Sequence, residues 1–135
     1  AGSGVIDRLR QLSYDVIEIP FGGKATKPEQ YLNRRSEMWW LMKQWIEEGG
    51  AIPNDIALKQ ELATPIYWYD NVGRRVLESK DQIKKRLQGA GSPDLADALA
   101  LTFALPVAKK EMEDIYIKKR KETTHKKDYD PYTRI

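Results

Sequence analysis

The sequence predicts an α/β fold in which a β-hairpin is flanked by several helices. Three features point to it. Pro65-Ile66-Tyr67-Trp68-Tyr69-Asp70 is aromatic and β-prone, Asn71-Val72-Gly73-Arg74 makes a tight turn, and Arg75-Val76-Leu77-Glu78 returns as the second strand. Tyr14 to Ile19 alternates apolar with acidic residues and stops at Pro20, the pattern of a short strand. Most of the remaining apolar residues recur at helical spacing.

The elements follow in order. Val5, Leu9 and Leu12 share one side of a short amphipathic helix over Val5–Leu12, which feeds the strand over Tyr14–Ile19. Phe21 to Pro28 is a polar loop carrying Lys24 and Lys27. A long helix is expected from about Glu29 to Glu48, ended by Gly49-Gly50, with Tyr31, Met38, Leu41, Met42, Trp45 and Ile46 as its apolar stripe. Trp39 and Trp40 widen that stripe, so at least one of them faces another element or a partner. Arg34, Arg35 and Lys43 fall off the buried face, as a solvated surface. A short helix over Asp55–Leu62 is amphipathic through Ile56, Leu58 and Leu62. After the hairpin, Ser79 caps a helix with Ile83 and Leu87 inside and Lys80, Lys84, Lys85 and Arg86 projecting outward. Pro106 breaks or kinks the next helix. A further helix is expected over Val107–Lys121, and from Thr123 onward the charged, aperiodic sequence reads as a tail.

Ser92-Pro93-Asp94-Leu95-Ala96-Asp97-Ala98-Leu99-Ala100-Leu101 is the densest motif. Ser92 is a good N-cap and Pro93 suits the first helical position. Asp94 and Asp97, at i and i+3, then lie on one face of the first turn, with Leu95, Leu99, Thr102 and Phe103 on the buried face. Two acids on one helical edge suit a hard divalent cation, which takes oxygen ligands and keeps several waters. Acids also favour helix N-termini for dipole reasons alone, so the spacing by itself leaves both readings open.

Composition excludes several chemistries. With 135 residues the chain makes one domain with a modest core. No cysteine is present, so there is no disulfide framework, thiolate metal site or cysteine nucleophile, which fits a cytosolic compartment. The one histidine, His125, lies in a lysine-rich stretch, which excludes a two-histidine zinc site and argues against a Ser-His-Asp arrangement. No apolar run is long enough to span a membrane. A net charge of +3, with basic residues crowded at Lys84-Lys85-Arg86 and from Lys118 to Lys127, fits a polyanion partner without demanding one.

Tyr31-Leu32-Asn33-Arg34-Arg35-Ser36-Glu37-Met38-Trp39-Trp40, the hairpin ending in Leu77-Glu78-Ser79-Lys80-Asp81, the Lys84-Lys85-Arg86 cluster and the Ser92–Phe103 motif occur in that order. Together they resemble the C-terminal nuclease domain of the large terminase subunit of tailed bacteriophages and prophages, over about residues 2–104. The resemblance implies an RNase H-like nuclease that cuts concatemeric viral DNA with two divalent ions, Mg²⁺ or Mn²⁺. It also implies an N-terminal packaging ATPase, portal and small-subunit partners, and the host cytoplasm as its place of action. Three acids hold the metals in that family, and the last belongs to the motif matched by Asp94 and Asp97, both of which are carried as catalytic and metal-binding candidates.

This chain departs from the family in lacking the early strands that bear the other two acids, and it has no P-loop. Asp7, Asp15 and Glu18 are the only acids near its start. The expectation is therefore an incomplete RNase H-like fold: residues 1–105 as the C-terminal portion of a nuclease domain, 106–135 as a helical extension and basic tail, monomeric and inactive by itself. The alternative is a non-catalytic module that holds double-stranded DNA or docks on the viral assembly through Arg74, Arg75, Lys80, Lys84, Lys85 and Arg86, a cluster that also reads as a solvated face. A remnant with neither role is the third reading.

Overall fold

In the computed structural model, residues 3–89 and 91–106 are described. They form α1 (Ser3–Gln11), α2 (Arg34–Glu47), α3 (Ile56–Ala63), β1 (Tyr67–Tyr69), β2 (Arg75–Leu77), α4 (Lys80–Arg86) and α5 (Asp94–Leu101). The helix expected over Val107–Lys121, the tail from Thr123 and His125 lie outside the described residues. Within them the fold is α/β in the broad sense, helices around one two-stranded antiparallel sheet. No described helix is long and apolar enough to cross a membrane.

The hairpin forms as the aromatic run and turn residues dictate. Tyr67 pairs with Leu77, Trp68 with Val76 and Tyr69 with Arg75. Asp70 builds the turn: its Oδ1 accepts from Val72 N at 3.1 Å and Arg74 N at 2.8 Å, and its Oδ2 accepts from Arg74 Nε at 2.8 Å. Gly73, at φ +83°, takes the left-handed conformation that the turn requires.

The expected strand over Tyr14–Ile19 does not form. No described segment pairs with it, and Tyr14 and Ile17 are both 63% exposed, so its alternation does not match a half-buried sheet face. Instead the segment leads Ile19 and Phe21 onto the core. The carbonyls of Phe21 and Gly23 accept from Arg35 N and Arg34 N, satisfying two donors at the start of α2.

The long helix also starts later than expected, at Arg34 rather than near Glu29. Residues 30–32 are drawn to the open edge of β2: Arg75 N donates to Gln30 O at 2.7 Å and Leu32 N donates to Arg75 O at 3.0 Å. Asn33 then caps α2, its side chain accepting from Ser36 N. At the other end Gly50 lies against the Trp45 ring, where a Cβ would come within 2.3 Å of the indole and force that ring to shift.

Met38, Trp39 and Met42 of α2 pack with Leu58 of α3 and with Ala96, Ala100 and Ala104, on and just beyond α5. The three alanines, one turn apart, let α5 approach both α2 and α3 closely, while the large side chains of α2 fill the space between. This shifts the buried face of α5 from the expected one, of which only Leu99 and Phe103 pack on the core. Leu95 is 49% exposed and Thr102 is exposed, Leu99 and Phe103 are only partly buried, and the alanines with Asp97 turn inward. Ile56 is likewise exposed, whereas Leu58 is buried.

Two carboxylates lock the periphery. Glu37, buried on α2, accepts from Thr26 N at 2.8 Å and Lys27 N at 3.2 Å and pairs with Arg34 at 2.8 Å, which fixes the polar loop. Glu78, buried at the end of β2, accepts from Ile66 N and from Arg86 Nε and Nη2 at 2.8 and 2.7 Å, tying α4 to the hairpin. The Arg86 guanidinium holds the Glu78 carboxyl below its ordinary range. A depressed native pKa stabilises the fold at pH values above the ordinary glutamate range and loses that contribution as pH falls through the native value. Unfolding free energy, measured by chemical denaturation, is therefore expected to decline on acidification below about pH 4.3. Glu78→Gln should lower stability at neutral pH and decline less steeply there, leaving the two proteins closer at acid pH.

Candidate functional site

Arg35, which the helical spacing assigns to a solvated face, is only 8% exposed and faces α5. Arg35, Trp39 and Met42 fall at i, i+4 and i+7, so the guanidinium and the indole share one face of α2. Arg35 Nε donates to Asp97 Oδ1 at 3.0 Å, and Trp39 Nε1 donates to the same oxygen at 2.7 Å. Arg35 Nη1 donates to Glu78 O at 2.7 Å, while Arg35 Nη2 is buried with no hydrogen-bond partner among the described residues.

Lys80, expected to project outward, folds across the start of α5 instead. Its Nζ lies 3.0 Å from Asp94 Oδ1 and 3.0 Å from Asp97 Oδ2. The two aspartates therefore do share one face, and one ammonium bridges them. Their environments differ sharply: the Asp94 side chain is 74% exposed and that of Asp97 only 5%. Burial pulls the Lys80 ammonium toward a lower pKa, but the facing carboxylates outweigh it and hold it above its ordinary range. Lys80 in turn draws the Asp94 carboxyl below the usual carboxylate range.

The start of α5 is not capped as the sequence suggests. Pro93 occupies the cap position and makes no side-chain cap bond, and Asp94 N donates to Ser92 O at 2.8 Å. A carboxylate from α3 takes over: Glu61 Oε2 accepts from Ala96 N at 3.0 Å. A donor at the helix start is thus satisfied across the core, and the Ser92 hydroxyl is not needed as a cap.

No family model matches the chain, and no curated protein matches its sequence. Three solved structures show partial similarity to the chain. One is the nuclease domain of the large terminase subunit gp2 of bacterial virus Sf6, at 20% identity and a TM-score of 0.49, the match covering 78% of this chain and 62% of that domain. The others are a lysine-to-alanine mutant of that domain with manganese, at 22% identity and a TM-score of 0.45, and the same mutant with manganese and beta-thujaplicinol, at 21% and 0.45. This chain thus spans less than two thirds of the domain it is similar to.

The six basic candidates separate into three groups. Arg74, Lys80 and Arg86 are committed to carboxylates, on Asp70, on Asp94 with Asp97, and on Glu78. Arg75 is held between aromatic rings, 4.2 Å from the Trp40 centroid. Lys84 and Lys85 are exposed and form no ion pair among the described residues. Half of the basic cluster is therefore a set of structural ion pairs. Asp94 and Asp97 have no third acid beside them: no group of three His, Asp or Glu side chains suited to a metal occurs among the described residues. Asp7, Asp15 and Glu18 are exposed and do not join them.

The asymmetry between the aspartates is measurable. Asp97→Asn leaves Arg35 buried without its counter-charge and is expected to cost about 3–5 kcal/mol of stability by urea denaturation. Asp94→Asn, at an exposed position, should leave the unfolding midpoint close to that of the parent protein.

Proposed function

We propose that this chain is the C-terminal portion of a metal-dependent DNA-cleaving domain of the phage terminase large-subunit type, with residues 1–105 in the nuclease domain and 106–135 as an extension. One geometric fact carries the reading beyond the order of its motifs: Asp94 Oδ1 and Asp97 Oδ2 converge on a single cation position, now held by Lys80 Nζ at 3.0 Å from each. Two oxygens aimed at one point fit a hard divalent ion that keeps most of its coordination shell as water. Asp97 would be the fixed ligand, its other oxygen braced by Arg35 and Trp39, and Asp94 the mobile one.

Bound there, Mg²⁺ or Mn²⁺ would supply charge to the scissile phosphate and lower the pKa of a coordinated water. The chain's own residues do the rest. Lys80 supplies the positive charge between the two acids, and an ion held by Asp94 and Asp97 would take the place of its ammonium. Arg35, buried and paired with Asp97, acts as a positioning residue that fixes one oxygen of that carboxylate. Lys84 and Lys85 add non-specific phosphate contact from α4. The remaining metal-binding acids would come from chain outside the described residues, so double-stranded DNA is the substrate of the assembled domain. Portal and small-subunit contacts, and action in the host cytoplasm, belong to the whole packaging protein.

Plasmid nicking in Mn²⁺ tests this reading, with the chain joined to the segment that precedes it in its coding sequence. The joined protein should convert supercoiled plasmid to nicked and linear forms, and Asp94→Ala with Asp97→Ala should reduce cutting to background. Cutting that survives the double substitution removes these two acids from the metal site.

A further inference from the structure

Of the three basic candidates without an ion pair among the described residues, Lys84 and Lys85 are exposed and Arg75 alone is partly buried. Its guanidinium carbon lies 4.2 Å from the Trp40 ring centroid, 5.4 Å from that of Tyr31 and 5.8 Å from that of Tyr69. Its Nε is buried without a partner, and the guanidinium makes no hydrogen bond or salt bridge among the described residues. An arginine fork set over aromatic rings, with its donors unspent, is placed to receive an anion.

Arg75 and Trp40 also line an apolar cleft of about 300 Å³ between α2 and the hairpin, walled further by Trp39, Met42, Tyr67 and Leu77. Trp40 and Tyr67 meet edge to face at 5.2 Å, and Tyr69 continues the row at 6.3 Å from Tyr67. Tyr67, Trp68 and Tyr69 are 47%, 38% and 55% exposed, far more than a structural aromatic run requires. Lys43 stands at the rim, 5.1 Å from the Trp40 centroid, with its charge answered by Glu47. Flat aromatic walls beside one uncompensated cation match the two chemistries of a nucleotide: a planar base to stack and a phosphate to bind.

We propose that this cleft takes an unpaired nucleotide of single-stranded DNA, its base against Trp40 and Tyr67 and its phosphate on Arg75. The proposal takes DNA as the polyanion from the nuclease reading, but it needs no metal. Trp39 connects the two places, since its ring walls the cleft and its N–H holds Asp97. A strand locally opened near the acids would then have a place for a displaced base.

The test is fluorescence anisotropy of a short labelled oligothymidylate with the purified chain in EDTA, so that neither binding nor its loss depends on the nuclease. Tyr67→Ala and Arg75→Gln should each weaken binding about fivefold or more, the scale of one lost base–aromatic stack. Tyr67→Phe should bind like the parent, and thermal melting should show all three variants folded. A duplex of the same length should bind independently of Tyr67. The proposal is overturned if oligothymidylate does not bind, if Tyr67→Ala binds like the parent, or if heparin or a polyglutamate peptide occupies the site as well as the oligonucleotide does. A chain that binds the oligonucleotide through the cleft while its extended form fails to nick would lose the nuclease reading alone.

Discussion

The carboxylate of Asp97 is an ionisable group taken out of water, and the arrangement around it follows from how that charge is answered. Burying an unpaired charge costs several kcal/mol, so a fold that places Asp97 against α2 must supply donors there. It does so from two elements: Arg35 and Trp39 of α2 on one oxygen and Lys80 of α4 on the other. Arg35 reaches on to the carbonyl of Glu78, whose side chain grips Arg86 and Ile66 N. Through these few contacts α2, the hairpin, α4 and α5 are held in register, although α4 itself buries only Ile83.

That constraint also separates structure from chemistry within the basic cluster. Lysines and arginines counted from the sequence look interchangeable as phosphate contacts, yet each of Arg74, Lys80 and Arg86 lies within 3.0 Å of a carboxylate. A guanidinium already paired with a carboxylate gives up that pairing to bind DNA, and the net gain is small. Arg75 differs because it is held by ring faces, which orient it without consuming its hydrogen-bond donors. Trp39 stands between the two regions, and a ligand leaning on its ring would bear on the residue that positions Asp97.

Local rules made part of this legible in advance. The hairpin and its turn, the Ser79 cap of α4, and the glycine end of α2 depend on neighbours in sequence, and they appear where turn and cap chemistry put them. Features set by distant contacts were not legible. Among the described residues no segment pairs with 14–19, and α2 starts late because β2 claims the backbone of Gln30 and Leu32. The buried face of α5 is centred on its alanines, which allow close helix approach, with Leu99 and Phe103 of the expected face at its margin. The shared face of Asp94 and Asp97 was visible from their spacing, but their unequal burial and the inward fold of Lys80 were not. One signal for the missed partners was present: an arginine at i and a tryptophan at i+4, in line with Met42, place polar groups on an apolar stripe, which requires a buried acceptor.

The most direct measurement is hydrogen exchange at the indole N–H groups of the four tryptophans, followed by NMR. A buried carboxylate hub at Asp97 requires the Trp39 indole proton to be the slowest of the four, exchanging only when the protein unfolds globally. A Trp39 indole proton that exchanges as fast as that of exposed Trp68 would contradict it.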